Sequence, residues 1–257
     1  MQALPVGVPK VLVSTLASGD VSAYVGPSDV NMFHPVTDVS GLNRVSRKVL
    51  GNAAHAISGM MTWQPPVVVD TRPAIALSMF GVTTPAVQAM TDSLQQEFDC
   101  LVFHATGSGG RSMEQLIKQG DISGVLDITT TEICDLLVGG VLSAGEGRLD
   151  SIAQTGVPYV GSCGALDMVN FWGPESVPDR FSDRLFCHHN AQVTLMHTTA
   201  AEAAQIGDWI GQKLNACDGP VRFLLPQGGV SALDAEGSPF WDPKFDATLF
   251  QALEDTI

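Results

Sequence analysis

Along the chain, short uninterrupted apolar runs alternate with stretches in which apolar residues recur every three or four positions. The first kind reads as a buried strand, because a parallel strand covered on both faces has no polar side. Such runs lie at residues 10–15, 30–34, 74–78, 100–105, 124–128, 157–161 and 221–225. The second kind reads as an amphipathic helix. Over residues 40–61, Leu42, Val45, Val49, Ala53 and Ile57 hold that spacing, with Asp38 or Ser40 placed to cap its start. Pro85 suits the first turn of a helix over residues 85–98. Thr199 followed by Glu202 forms a capping box for a helix that runs to residue 216. Further helices are expected over residues 111–120, from 131 until Gly139 and Gly140 break it, and over 148–154 and 246–254. Gly120 suits a helix end because it accepts positive φ without a Cβ clash. Residues 170–183 read as irregular and 185–196 as one short strand. Residues 62–73, with Pro65, Pro66 and Pro73, read as a linker. Strands each followed by a helix are the pattern of an α/β fold with a mainly parallel sheet, expected here as a single domain over residues 1–257.

Ligands of such sheets bind beyond the carboxyl ends of the strands, and nearly every predicted strand here ends in a small polar loop. The richest is Thr106-Gly107-Ser108-Gly109-Gly110-Arg111. Its glycines let backbone N–H groups approach an anion at a helix start. Arg111 opposes the helix dipole unless something negative lies nearby. The loop matches neither phosphate-binding fingerprint, so a tight turn that needs small residues is the alternative. Its expected neighbours across the sheet edge are Ser18 and Gly19, and Thr129, Thr130 and Thr131.

Glu132 and Asp167, in loops on the same edge, carry oxygen donors suited to magnesium. His104, at the mouth of the glycine loop, is placed for acid–base work or is a buried neutral imidazole. His188 and His189 are adjacent on an extended segment, so they point to opposite faces and at most one meets the site. Asp127, inside an apolar run, either bonds donors of the chain or faces a ligand. Cys163 ends a strand without the G-x-S-x-G pattern. No nucleophile with its base stands out, so no reaction is assigned.

Charge narrows the partners. The chain carries a formal charge of −14, which argues against nucleic-acid backbones and anionic membranes, both of which need a basic surface. An anionic ligand must be held locally, by backbone N–H groups, a few arginines or a metal. Five cysteines without a C-x-x-C pair fit reduced thiols and a cytoplasmic setting. The apolar stretches are too short to span a membrane, and the start of the chain does not read as a signal peptide, so a soluble chain is expected.

Several blocks together carry a resemblance. They are VSTLASGD at 13–20, VTDVSGLNR at 36–44, FHATGSGGR at 103–111, LDITTTE at 126–132, ALDMVNF at 165–171, and His189-Asn190 through Thr194-Leu195-Met196. In these the chain resembles the UPF0261 family, also called the Tm-1-like ATP-binding family. The resemblance implies Rossmann-like lobes with helices on both faces of the sheet, ATP and magnesium (Mg2+) as cofactors, and a homodimer. For a plant member it implies contact with a viral replication protein. The family's first lobe is expected to be absent, on this chain or supplied by a partner chain, with residues 1–257 resembling the second. His197 stands where the family pattern leads us to expect arginine. Two functions follow as expectations: a nucleotide- or phosphate-binding protein, or a metabolic enzyme acting on a small anionic substrate, a carboxylate or a phosphorylated compound.

Overall fold

The computed structural model describes residues 3–63 and 70–257; Pro65 and Pro66 of the expected linker lie outside them. The chain divides into two compact units, residues 1–71 and 72–257, where the sequence led us to expect one domain. Among the described residues, the buried hydrophobic clusters consist entirely of residues from Ile75 onward.

In the first unit β1 (Val11–Val13) is followed by the short helix α1 (Ser22–Val25), β2 (Asn31–Phe33) and the long α2 (Arg44–Thr62). β1 and β2 form a two-stranded parallel sheet. Asn43, rather than Asp38 or Ser40, caps α2, its side chain accepting from the Val45 and Ser46 N–H groups. Lys10 is buried, and its ammonium meets the carbonyls of Pro5 and Val8 and the Asp29 carboxylate.

The second unit starts with β3 (Ala74–Met79), α3 (Thr84–Leu94), β4 (Asp99–His104), α4 (Ser108–Gln119), β5 (Gly124–Thr129) and a single turn, α5 (Glu132–Cys134). It continues with α6 (Asp150–Thr155), β6 (Tyr159–Gly164), β7 (Met168–Phe171), β8 (Phe186–Asn190) and β9 (Val193–His197). It closes with α7 (Ala200–Asn215), β10 (Val221–Leu224) and α8 (Pro243–Thr256). Five of these strands form an all-parallel sheet in the order β10-β6-β5-β3-β4. The middle strands β3, β5 and β6 are nearly buried throughout, while the edge strands β4 and β10 alternate between covered and exposed positions. The difference comes from position in the sheet, since a middle strand is covered on both sides and an edge strand is not; the apolar runs alone do not separate the two.

Helices cover both faces, as the Rossmann-like pattern requires. Met113 and Ile117 of α4, Ile152 of α6, and the inner sides of α7 and α8 share one core with Ala76, Val125 and Tyr159. Val87, Met90 and Leu94 of α3 pack on the other face against Ile75 and Leu77. Gly207 and Gly211 let α7 and α8 touch, since a Cβ at either would fall 2.7 Å from a side chain of α8. The expected capping box of Thr199 and Glu202 is present. Gly120 ends α4 in the left-handed conformation, with φ +83°.

Residues 168–197 depart from expectation. Where the sequence reads as irregular with one short strand, the chain forms a separate antiparallel sheet, β7-β9-β8. All four residues of β7 are buried, so it shows no alternation by which a half-exposed strand is recognised.

Candidate ligand-binding site

Counted along the sheet, the second unit's strands run in the doubly wound order in which β3 lies at the reversal of direction, where crevices open beyond the carboxyl ends. The loops after β3, β4 and β5 therefore meet at one edge. The loops after β4 and β5 are tied together through buried charge.

The glycine loop between β4 and α4 does hold an anion, and the anion is Glu132. The N–H groups of Gly107 and Gly110 donate to Glu132 Oε1 at 2.6 and 3.1 Å, so the carboxylate occupies the positive end of α4. The glycines make room for it. A Cβ on Gly110 would fall 2.1 Å from Glu132 Oε2, and one on Gly109 would fall 1.8 Å from the His104 carbonyl oxygen. Arg111 turns the same way, donating to the Ser143 carbonyl at 3.1 Å.

The other oxygen of Glu132 accepts from Arg148 Nε at 2.9 Å. Arg148 is 1% exposed and also donates to Asp127 Oδ1 at 2.7 Å, with Glu114 Oε1 3.5 Å away. Asp127 accepts further from Ser78 Oγ at 2.6 Å and the Tyr159 hydroxyl at 3.2 Å. Glu114 accepts the N–H groups of Leu149 and Ser151 at the start of α6. Burial opposes the charge on Arg148, but the three carboxylates around it outweigh that and keep the guanidinium protonated. Burial and the Asp127 charge push the Tyr159 phenol well up. Asp127 thus bonds the chain rather than a ligand. The sequence offers a signal for Arg148, which our reading missed: carboxylates inside an apolar strand and on an apolar helix face need a buried cation.

The remaining expected site residues are also placed. Thr129, Thr130 and Thr131 are fully buried. Thr129 bonds Thr83 and Ser78, Thr130 donates to the Ser162 carbonyl, and Thr131 accepts from Asn170. Ser18 and Gly19 lie in the first unit, on the turn after β1, and β1 belongs to the two-stranded sheet. Asp167 is buried and accepts from Ser231 Oγ at 2.7 Å, while its Oδ1 has no partner. Burial above all, with smaller contributions from Asp234 and Asp246, pushes its pKa up to about 7.

Glu132 and Asp167 do not fit a magnesium ion. The first shares its oxygens with a guanidinium and two amides, whereas such an ion takes several open oxygen donors. Among the described residues no group of three His, Cys, Asp or Glu side chains is arranged to hold a metal. Cys163 is fully buried, and burial drives its thiol far up, away from thiolate chemistry. His197 is held between Phe240 and Phe245, and loss of hydration lowers its pKa.

The open space lies on the outer side of the same glycine loop. A cavity of about 600 Å³ is walled by Phe80, Gly81 and Val82 after β3 and by His104, Thr106 and Ser108 at the junction of β4 and α4. The β8–β9 hairpin closes it with His189, Asn190, Val193 and Leu195, and Leu142 and the half-exposed Trp172 complete it. His104 stacks on Phe80 with ring centroids 5.6 Å apart. His188 lines a different depression, with Pro174 and Val177, so only His189 of the adjacent pair meets the cavity, as the alternation of an extended chain requires. Of the expected phosphate- or nucleotide-binding residues, Thr106 and Ser108 are the two that line this cavity.

Residues 72–257 match the C-terminal domain of the Uncharacterised protein family (UPF0261), and residues 1–66 match its N-terminal domain. Part of the first lobe that we expected to be absent is therefore represented. A UPF0261 protein of Rhizobium meliloti (strain 1021) is 62% identical over the whole chain, and one of Clostridium tetani is 50% identical. The chain spans 64% of the length of each. The ToMV resistance protein Tm-1(GCR237) of Solanum lycopersicum is 44% identical over 98% of this chain, which covers 34% of that protein. With both domains matched in order, and the blocks around the glycine loop and the β8–β9 hairpin falling inside the matched region, this chain belongs to the UPF0261 family.

Proposed function

We propose that residues 72–257 bind a small anionic organic ligand in the cavity beyond the carboxyl ends of β3 and β4. One observation carries this reading. At the edge where doubly wound sheets take their ligands, the other predicted contact groups are spent on the chain itself. Here, among the described residues, the His104 and His189 rings and the Ser108 hydroxyl face open space and make no hydrogen bond to the chain. A nucleotide, the class that the family resemblance implies, offers a flat ring for the apolar wall and phosphates for Thr106 and Ser108. Any magnesium would then be coordinated chiefly by those phosphates, and ATP with Mg2+ stands as a proposal of this kind. The second reading, an enzyme acting on a small anionic substrate, draws on the two cavity imidazoles, the side chains best suited to proton transfer near neutral pH.

Calorimetric titration of the native chain and a Gly81→Phe variant with ATP, AMP and small carboxylates tests the site. Gly81 lines the cavity and a Cβ there meets nothing within 4 Å, so a bulky side chain is the change expected to fill this space. Binding that is lost in this variant, with unchanged thermal unfolding, supports the site. Equal affinity in both proteins would overturn it. The homodimer is likewise proposed, and a monomer mass by light scattering at micromolar concentration would count against it.

A further inference from the structure

The lining of the cavity departs from the character of the chain. The protein has 27 Asp and Glu residues against 13 Lys and Arg, yet among the described residues no Asp, Glu, Lys or Arg lines this space. From every wall, the loop after β3, the β4–α4 junction, Leu142, Trp172 and the β8–β9 hairpin, the only titratable side chains presented are His104 and His189. A cavity built for a cationic ligand would hold carboxylates. One built for a polyphosphate would hold arginine, lysine or a metal-binding group, since several negative charges need several fixed positive ones. Neither set is present, so within the anionic class proposed above the lining favours a singly charged ligand over ATP.

Apart from the uncharged polar Thr106, Ser108 and Asn190, the rest of the lining is apolar. Phe80, Val82, Leu142, Val193 and Leu195 form the wall, and Trp172, 53% exposed, stands at the cavity. The parallel stack of His104 on Phe80, at 26° between ring planes, presents a planar surface of the kind that aromatic bodies pack against. A volume of about 600 Å³ lies within the range of roughly 300–1,000 Å³ that encloses small organic ligands.

Resting on the binding site assigned above, we propose that the cavity selects a monocarboxylate with a flat apolar body. The body lies against Phe80, Leu195 and Trp172, and the His104 and His189 imidazolium groups supply the counter-charge. In a chain of net charge −14 the long-range field repels such a ligand, so its counter-charge must be local. Histidine is the side chain whose charge ordinarily changes near neutral pH, so the pH dependence of affinity reads out whether these two rings hold the carboxylate.

The probes are 2-naphthoate and its neutral analogue 2-naphthamide, titrated by calorimetry into the native chain at about pH 5.5 and about pH 8, a window in which the probe, with a carboxyl pKa of about 4, stays ionised. Naphthoate is expected to bind about tenfold or more tightly at the lower pH, a difference of about 1.4 kcal/mol, while naphthamide binding does not change. The double variant His104→Gln, His189→Gln should abolish the pH difference for naphthoate, while naphthamide, whatever its affinity in the variant, binds alike at both pH values. Gly81→Phe should block both compounds.

A naphthoate affinity that is the same at both pH values, or that keeps its pH dependence in the double variant, overturns the inference. So does the failure of either compound to bind the native chain. If Gly81→Phe blocks both compounds but naphthoate has no advantage over naphthamide, the charge selection fails and the site stands. If the variant binds both as the native chain does, the site itself is misplaced.

Discussion

The two sides of the segment joining β4 to α4 make an instructive contrast. On the inner side, Gly107, Gly110 and Arg111 give their donors to Glu132 and Ser143, and Glu132 is in turn held by Arg148. On the outer side, His104, Thr106 and Ser108 face a cavity. A glycine-rich strand-to-helix turn has the composition of an anion site in either case. What separates an anion site for a ligand from one for the chain is whether a carboxylate elsewhere in the sequence already fills it. Here the glycines allow two parts of the backbone to approach, and the candidate chemistry belongs to the His104 and His189 rings and the Ser108 hydroxyl, which make no hydrogen bond to the chain among the described residues.

The contrast breaks most sharply at Arg148. Replacing it, Arg148→Met, leaves Asp127, Glu132 and Glu114 buried without their cation, and should cost about 3–5 kcal/mol of stability by urea unfolding. A loss below about 1 kcal/mol would mean that the inner side is not held by charge. Gly109→Ala is expected next. Its Cβ would lie 1.8 Å from the His104 carbonyl oxygen, so the turn must move, at about 3 kcal/mol by the same measurement. If instead stability holds and only ligand affinity falls, the glycines serve a ligand after all.

Asp167 tests whether a sealed group behaves as one. Its folded pKa of about 7 lies above the ordinary 3.8, so folding favours the neutral acid. That contribution is fully present below the unfolded pKa and is lost as pH rises through about 7. Asp167→Asn, neutral at all pH values, should therefore raise stability near pH 8 by about 1–2 kcal/mol and change little near pH 4, read from thermal melts at both. The smallest effect on stability belongs to the outer side. Trp172→Ala removes a half-exposed side chain and should change unfolding by about 0.5 kcal/mol or less, while weakening any ligand of the cavity several-fold in calorimetry. A large stability loss there would make Trp172 part of the core rather than of a site.

The sequence by itself determined what depends on neighbours in the chain. The apolar runs place β3, β4, β5, β6 and β10, Thr199 with Glu202 starts α7, and Gly120 ends α4. The adjacency of His188 and His189 dictates that only one of them meets the cavity. Each of these follows from a few residues whose backbone geometry brings them together wherever the segment lies. Only the tertiary structure decided the order β10-β6-β5-β3-β4, the antiparallel sheet over residues 168–197, the division near residue 71, and the partners of Glu132. Arg148 meets Glu132, Asp127 and Glu114 from separations of 16, 21 and 34 residues. No periodicity encodes such a meeting, because the free energy that selects it comes from removing all four charges from water at once, and that happens only when the sheet closes around them.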